Sequence, residues 1–312
     1  MDDVTLRSYR PGDATAVSRL FRAIYGDHYV QPHVYLPLMI NQNHCDGRWH
    51  SLVAVTGSAM LGHATLFRNE GAHIAELALS VVHPATRGQN IATQLGRQLL
   101  IHAQALSCRG VTIKQVTQHP YTQRMADRLG FVSTGLLLDY VPSPFGEPLP
   151  ESIVIGYTVI DSYRRPLPAL QWPESCRRFM EHLGSVFGTQ DKDTRWTGPS
   201  LTLEEHMGRH DVYLKNLDNR LLKQLQRLPR QWTVSIRLRL AHGFAAALQS
   251  LSTIGFVFTG IAPDEAGDGW LALFHRGYRQ RVMTLHCPHM QQLHERAQQQ
   301  AARLTETATP CA

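Results

Sequence analysis

No apolar run in these 312 residues approaches the roughly 18–20 needed to cross a bilayer, so no membrane-spanning helix is expected. Cysteine is scarce. The five residues Cys45, Cys108, Cys176, Cys287 and Cys311 are odd in number, scattered and free of C-x-x-C pairs, which excludes a disulfide framework and reads as reduced thiols in a cytosol. The opening MDDVTLRSYR is acidic and then polar, unlike a secretory signal, so the expected location is cytoplasmic. Composition shows no collagen, coiled-coil or disordered bias. Histidine is plentiful at 17 residues, yet metal-ligand spacing is missing. His286, Cys287 and His289 come closest, but Pro288 breaks the helix that would align them, and no metal is expected.

What is present is the make-up of a globular protein, 43% apolar and 18% charged, long enough for about two domains. The net charge is +6, with 12 Lys+Arg against 11 Asp+Glu in residues 1–160 and 19 against 14 in the remainder. The basic excess therefore lies in the C-terminal half, where it suits phosphates or an acidic partner without establishing either.

The stretch from Ile74 to Ile101 carries the most information. An apolar run, Ile74 to Val82, holds one acid, Glu76; a short polar loop with Pro84, Arg87, Gly88 and Asn90 follows. Ile91, Leu95, Leu99 and Leu100 then fall at helical spacing, so the pattern is strand, tight loop, helix. Such a loop presents unpaired backbone N–H groups and the positive end of a helix dipole, which together form an anion site suited to a pyrophosphate. An ordinary strand-to-helix connection is the competing reading.

Upstream, Val4 to Tyr9 reads as a strand, and Asp13 is placed to cap a helix bearing Ala16, Val17, Leu20, Phe21 and Ile24. Ser51 to Phe67 reads as a hairpin. Downstream, Val111 to Val116 is a strand, then a helix ends at Leu129-Gly130-Phe131 and a strand follows to Leu138. Five residues crowd one short segment, Pro142, Pro144, Gly146, Pro148 and Pro150, which predicts a connector and a domain boundary.

The segment Val82 to Leu95 (VHPATRGQNIATQL) resembles the acetyl-CoA-binding motif of the GNAT superfamily of N-acetyltransferases, whose core is R/Q-x-x-G-x-G/A. Arg87 and Ala92 fit that core, and Asn90 stands where glycine is usual; Asn tolerates φ > 0 better than other residues with side chains. The L-G-F ending matches the last motif of the family, and the elements of residues 4–140 come in the family's order. The resemblance implies an α/β fold of the GNAT type: a mixed central sheet flanked by helices, with an N-terminal active domain. It also implies an acyl-CoA-dependent acyltransferase, most simply one moving acetyl from acetyl-CoA to a primary amine of a small molecule or protein by direct attack in a ternary complex.

Site roles follow from the same resemblance. Backbone N–H groups of Gln89, Asn90, Ile91, Ala92 and Thr93, with Gly88 and the Arg87 side chain, would hold the pyrophosphate. Backbone amides at Leu79, Val81 and Val82 would face the thioester. Glu76 occupies the position of the family's glutamate base. As the only acid in its apolar run it is expected in low-dielectric surroundings, although an edge acid that keeps the strand end soluble would read the same. The family's tyrosine acid falls at Ala126 here, which leaves Tyr121 and His119 as candidates for the general acid, against a packing role for Tyr121. Tyr29, His33, Tyr35, Leu36 and Met39 lie where the family forms one wall of the acceptor pocket.

In the C-terminal half, Asp211 to Asn216 reads as a strand and Asp218 to Leu228 as a helix. Gln231 to Leu240 alternates Trp232, Val234, Ile236, Leu238 and Leu240 with Thr233, Ser235, Arg237 and Arg239, the pattern of a strand with a wet basic face. The sequence I-G-F-V-F-T-G-I (Ile254 to Ile261) echoes L-G-F-V-S-T-G-L (Leu129 to Leu136), which suggests a duplication. The expected division is residues 1–150 as the acetyltransferase domain, 151–285 as a degenerate GNAT-like domain without a cofactor loop, and 286–312 as a C-terminal helix and flexible tail. Two alternatives stay open: a decayed module that binds CoA without catalysis, and nucleic-acid binding through the stripe Arg220, Lys223 and Arg227, to which Arg237 and Arg239 add. A homodimer is compatible with the sequence.

Overall fold

The computed structural model describes residues 4–206 and 208–306. In chain order the elements are β1 (Thr5–Ser8), α1 (Ala14–Tyr25), α2 (Pro37–Cys45), β2 (Trp49–Thr56), β3 (Ala59–Phe67), β4 (Ile74–Val82), α3 (Ile91–Ala105), β5 (Gly110–Val116), α4 (Tyr121–Arg128), β6 (Val132–Val141) and β7 (Glu151–Val159). There follow β8 (Leu167–Pro168), α5 (Arg177–Phe187), β9 (Thr189–Gln190), β10 (Leu201–His206), β11 (Arg209–Leu214), α6 (Asn219–Arg227), β12 (Thr233–Arg239), α7 (Phe244–Thr253), β13 (Val257–Pro263), β14 (Trp270–Arg276) and α8 (Pro288–Glu306).

Among the described residues one twelve-stranded sheet runs through the molecule in the order β1-β2-β3-β4-β5-β7-β6-β13-β14-β12-β11-β10. β1 to β4 form an antiparallel meander, and α3 crosses over to set β5 parallel to β4. The C-terminal half repeats this plan. β10 and β11 are antiparallel, α6 crosses to a parallel β12, and β14 inserts between β12 and β13 as β7 inserts between β5 and β6.

The echoed octapeptides occupy equivalent places. Gly130 and Gly255 both take positive φ, at 82° and 91°. The N–H of Phe131 donates to Ala126 O and that of Phe256 to Leu251 O, both at 3.0 Å, so both helices end in the same Schellman turn. Five positions past these glycines, Gly135 pairs with Gly260 at the one point where β6 and β13 register. A Cβ at Gly135 would lie 2.6 Å from Ile261 O, and one at Gly260 (φ +109°) would lie 2.5 Å from Thr134 O. Only paired glycines let the two halves close into one sheet.

One expectation changes, and two placements are new. The proline-rich segment is the connection of the β6–β7 hairpin, and Glu151–Val159 lies between β5 and β6 in the sheet. Local composition reads the same for a linker and for a stiff hairpin loop. The expected C-terminal helix is present as α8, whose Met290, Leu293 and Ala297 are buried in the core shared by β6, β13 and α5. The tail beyond residue 306 lies outside the described residues. Asp13 does not cap α1; both its oxygens are taken by Arg7, at 2.7 and 2.8 Å.

Helices α3 and α4 cover one face of the N-terminal sheet through Ile91, Leu95, Leu99 and Phe131, while α1 and α2 cover the other through Val17, Phe21 and Ile40. In the C-terminal half the apolar residues of β11 and β12 (Val212, Leu214, Val234, Ile236, Leu238) enter a core with α5, α6, α7 and α8. On α6, Arg220, Lys223 and Arg227 are exposed and Leu225 is buried, as in an amphipathic helix with a solvated face.

Gly260→Ala should destabilise the protein by about 3 kcal/mol, combining a forbidden φ with a backbone clash. In urea unfolding, Gly12→Ala, where nothing lies within 4 Å, serves as control and should fall within about 0.5 kcal/mol of the parent. Equal values for the two would remove the close approach at the sheet junction as a constraint.

Candidate active site

The loop from β4 to α3 is built to leave donors free. Its first part, Pro84–Thr86, is a 3-10 turn started by His83, whose Nδ1 accepts from Ala85 N at 3.3 Å. Gly88 takes φ +86° and Asn90 φ +63°, the left-handed values that the motif's glycines supply. Asn90 is the N-cap of α3 but makes no side-chain cap, and the first helical bond to its carbonyl comes from Gln94 N at 3.0 Å. The N–H groups of Ile91, Ala92 and Thr93 therefore have no partner within the helix. Arg87, Gly88, Gln89 and Asn90 are all exposed around them. Uncapped N–H groups at the positive end of a 15-residue helix fit a diphosphate.

β4 and β5 pair only from Ile74–Gly110 to Leu77–Ile113. Beyond that, β4 continues to Val82 and β5 to Val116 unpaired with each other, leaving a cleft that opens toward the α3 loop. The cause lies at Leu79, which sits at φ +51° where the β3–β4 register slips between His63 and Thr65. A β-carbon residue in this region costs about 1–2 kcal/mol and needs an anchor. His63 supplies it: wholly buried on β3, its Nδ1–H donates to Leu79 O at 3.1 Å. The side chains of Leu79 and Val81 are buried in the core under α1, so these residues and half-buried Val82 offer the cleft backbone atoms.

Glu76 lies on β4 beside Thr112, just before the strands part. Its surroundings differ from the expected apolar isolation: Lys114 of β5 donates to Glu76 Oε2 at 2.8 Å, and a quarter of the Glu76 side chain is open. Sequence could not show this pair, because it depends on the register of two strands joined by α3. The negative charge of Glu76 lifts the Lys114 ammonium above its ordinary pKa. Tyr29, from the segment after α1, lies near enough to feel the Glu76 charge, and burial chiefly raises its phenol. Its ring packs on Phe21 and Tyr25 at 5.0 and 4.8 Å, and Tyr25 meets Phe145 of the β6–β7 connection at 5.4 Å. The wall expected from this region is therefore an aromatic cluster closed by the proline-rich loop.

His119 and Tyr121 sit past the end of β5, on the other lip of the cleft, with rings 5.2 Å apart. Tyr121 opens α4 and is 72% exposed, and His119 Nδ1 is buried without a partner. No hydrogen bond joins either residue to Glu76. Tyr121 is thus a surface group rather than a packing one. Among the described residues, no three or more His, Cys, Asp or Glu side chains converge as a metal site; His289 instead stacks on His182 at 3.9 Å, and His286 lies 3.6 Å from Asp127.

Two phenols near the cleft, Tyr140 and Tyr213, escaped sequence reasoning, which gives Arg237 only as part of a basic face. Tyr140, turned by a left-handed Asp139 (φ +47°) on β6, lies under Lys114, whose Nζ is 5.9 Å from the ring. Arg237 and Tyr213 reach the same spot from the C-terminal half, and Arg237 Nη2 donates to Tyr140 Oη at 3.4 Å. Burial pushes the Tyr140 phenol up, but the charges of Lys114, Arg237 and Arg209 prevail and hold it below the ordinary tyrosine value. The alternation of β12 was a legible signal for Arg237; its partners were not.

Residues 15–131 match the family model described as Acetyltransferase (GNAT) family. Among solved structures, an N-acetyltransferase from Staphylococcus aureus is 15% identical, covering 51% of this chain and 99% of its own at a TM-score of 0.45. A ribosomal-protein-S5-alanine acetyltransferase from Vibrio fischeri is 13% identical, covering 53% and 97% at 0.45. A spermidine N-acetyltransferase chimera from Vibrio cholerae is 20% identical, covering 50% and 95% at 0.43. No curated protein matches the chain.

The buried anchor makes stability depend on pH. Burial lowers His63 from 6.5 to about 4, so between those values the unfolded chain binds a proton that the folded chain refuses. Stability present above pH 6.5 is lost as pH falls toward 4, with a slope of up to about 1.4 kcal/mol per unit from this residue. His63→Asn should flatten the stability profile between pH 6.5 and 4 in urea titrations; an unchanged slope would show that His63 titrates normally.

Proposed function

We propose that this chain, whose residues 15–131 match the acetyltransferase (GNAT) family model, transfers an acyl group, acetyl in the simplest case, from coenzyme A to an amine acceptor. The observation that carries this reading is the uncapped first turn of α3, preceded by left-handed Asn90, at the mouth of the β4–β5 cleft. Backbone N–H groups from Gly88 to Thr93 would hold the diphosphate, with Arg87 adding charge. The coenzyme supplies the activated thioester. Backbone amides at Leu79 to Val82 line the parting strands where charge develops on the thioester oxygen. Glu76 accepts the amine proton directly or through one water, on the side of the carboxylate that Lys114 leaves free. Tyr121 or His119, on the opposite lip, would protonate the departing thiolate.

The C-terminal half is, on this reading, a second GNAT-like domain that has lost its coenzyme site. Its strand order repeats the first, but the loop equivalent to the diphosphate loop is cut to Lys215–Asp218. The Asp218 carboxylate itself caps α6, accepting from Leu221 N at 2.7 Å, which puts negative charge where a phosphate would sit. The domain boundary then falls after β7 rather than in the proline-rich segment.

One observation favours the decayed-module alternative: an oxygen of the proposed base is already held by Lys114. Calorimetry and turnover separate the readings. Acetyl-CoA should bind with one site per chain; two sites would contradict the loss in the second half. Glu76→Gln should lower thiol release to an amine library about 10²–10⁴-fold while acetyl-CoA affinity stays unchanged. Binding without release by the parent chain would leave only the module.

A further inference from the structure

The face of the sheet that carries Glu76 and Lys114 continues into the C-terminal half, and its polar residues there are unevenly paired. Arg209 holds Asp211 through two bonds of 2.8 Å, and Lys114 is held by Glu76. Arg237 has no carboxylate within ion-pair distance among the described residues; its bonds go to the phenols of Tyr213 and Tyr140. Arg239, two residues on, donates to Thr194 O and keeps a buried Nε–H without a partner. A guanidinium carries five N–H donors in a fork that matches an oxyacid. Phenol hydroxyls satisfy two of the donors of Arg237 and neutralise none of its charge, and the Asp211 carboxylate, already held by Arg209, acts on it only from beyond ion-pair distance. Taking a cation out of water without an anion is costly, and a ligand that brings the anion recovers that cost.

Arg237 is half-buried. Its place relative to the cleft is fixed by contacts. Glu76 Oε2 meets Lys114 Nζ at 2.8 Å, Lys114 Nζ lies 5.9 Å from the Tyr140 ring, and Tyr140 Oη accepts from Arg237 at 3.4 Å. The series begins in the domain with the coenzyme loop and ends in the one without it. The bulge at Asp139 that aims Tyr140 is itself clamped, since Arg279 N donates to Asp139 Oδ2 at 2.8 Å and Arg281 pairs with Oδ1.

Resting on the acyltransferase reading, the geometry points to Arg237 as the receptor for an anionic oxyacid group, carboxylate or phosphate, on the same acceptor whose amine is acylated at Glu76. The second domain thereby supplies acceptor specificity instead of a second coenzyme site. Tyr140 and Tyr213 hold the guanidinium fork for a two-point bond, and a positive charge with no carboxylate at ion-pair distance selects against acceptors that are cationic at both ends.

The test uses three probes of matched length: an n-alkylamine, an ω-amino carboxylate and an ω-aminoalkyl phosphonate. Each is assayed for thiol release with acetyl-CoA and titrated by calorimetry into the full chain saturated with CoA. At least one anionic probe should have a KM and a Kd ten or more times lower than the alkylamine, and the better anion identifies the source of the group. Arg237→Gln should reduce that preference at least tenfold in both readouts, and Arg237→Lys by less, with melting temperature and acetyl-CoA affinity recording that each variant folds. If the anions bind and Arg237→Gln abolishes the preference while no probe releases thiol, the inference stands and the acyl-transfer reading falls. Equal binding of all three probes, no binding of either anion, or a preference that survives Arg237→Gln in a folded variant overturns it.

Discussion

A leucine held at φ +51° is the constraint from which the site follows. Leu79 breaks the rhythm of β4, and past this point β4 and β5 no longer share hydrogen bonds. The conformation is unfavourable for a residue with a β-carbon and persists because a buried imidazole holds its carbonyl. That imidazole stays neutral because it is buried, so a hydrogen bond that strains the strand also makes the fold sensitive to acid. The cleft and the backbone atoms facing it are consequences of this one departure from regular pairing.

A second constraint joins the halves. Two glycines from equivalent places in a repeated motif meet at the centre of the sheet, where any side chain would strike a carbonyl oxygen. The register there is a single pair, and polar contacts to the β13–β14 turn add to the shared core. Arg165, almost wholly buried, bonds to the carbonyls of Asp264, Gly267 and Gly269 and to the Tyr157 hydroxyl, while Arg109 pairs with Asp268 at 2.8 Å. The result is a continuous face on which Lys114, Tyr140 and Arg237 meet although 123 residues separate the first from the last.

Local signals were readable in the sequence. The strand-loop-helix of Ile74 to Ile101, the left-handed tolerance of Asn90 and the Gly-Phe endings at Gly130 and Gly255 each depend on a few neighbouring residues, and the structure bears out their geometry. Relations set by register or long crossovers were not readable. Lys114 sits opposite Glu76 only because α3 returns the chain in parallel, and Tyr140 meets Arg237 only because β6 and β13 pair. The alternation in Gln231 to Leu240 found the strand correctly, but Arg237 and Arg239 face a shared, partly covered surface rather than open water. The prolines between Pro142 and Pro150 lie in the β6–β7 connection, and stiffness alone does not distinguish such a turn from a linker.

The central claim is that the backbone from Gly88 to Thr93 holds the diphosphate of a coenzyme whose thioester lies between the parting strands. Diffraction from crystals grown with acetyl-CoA tests it most directly. Density for the diphosphate against those N–H groups, with the acetyl carbonyl beside Leu79 to Val82, is the result expected. Coenzyme seated instead at Lys215–Asp218, or a loop that closes over its own amides while the ligand lies elsewhere, would contradict it.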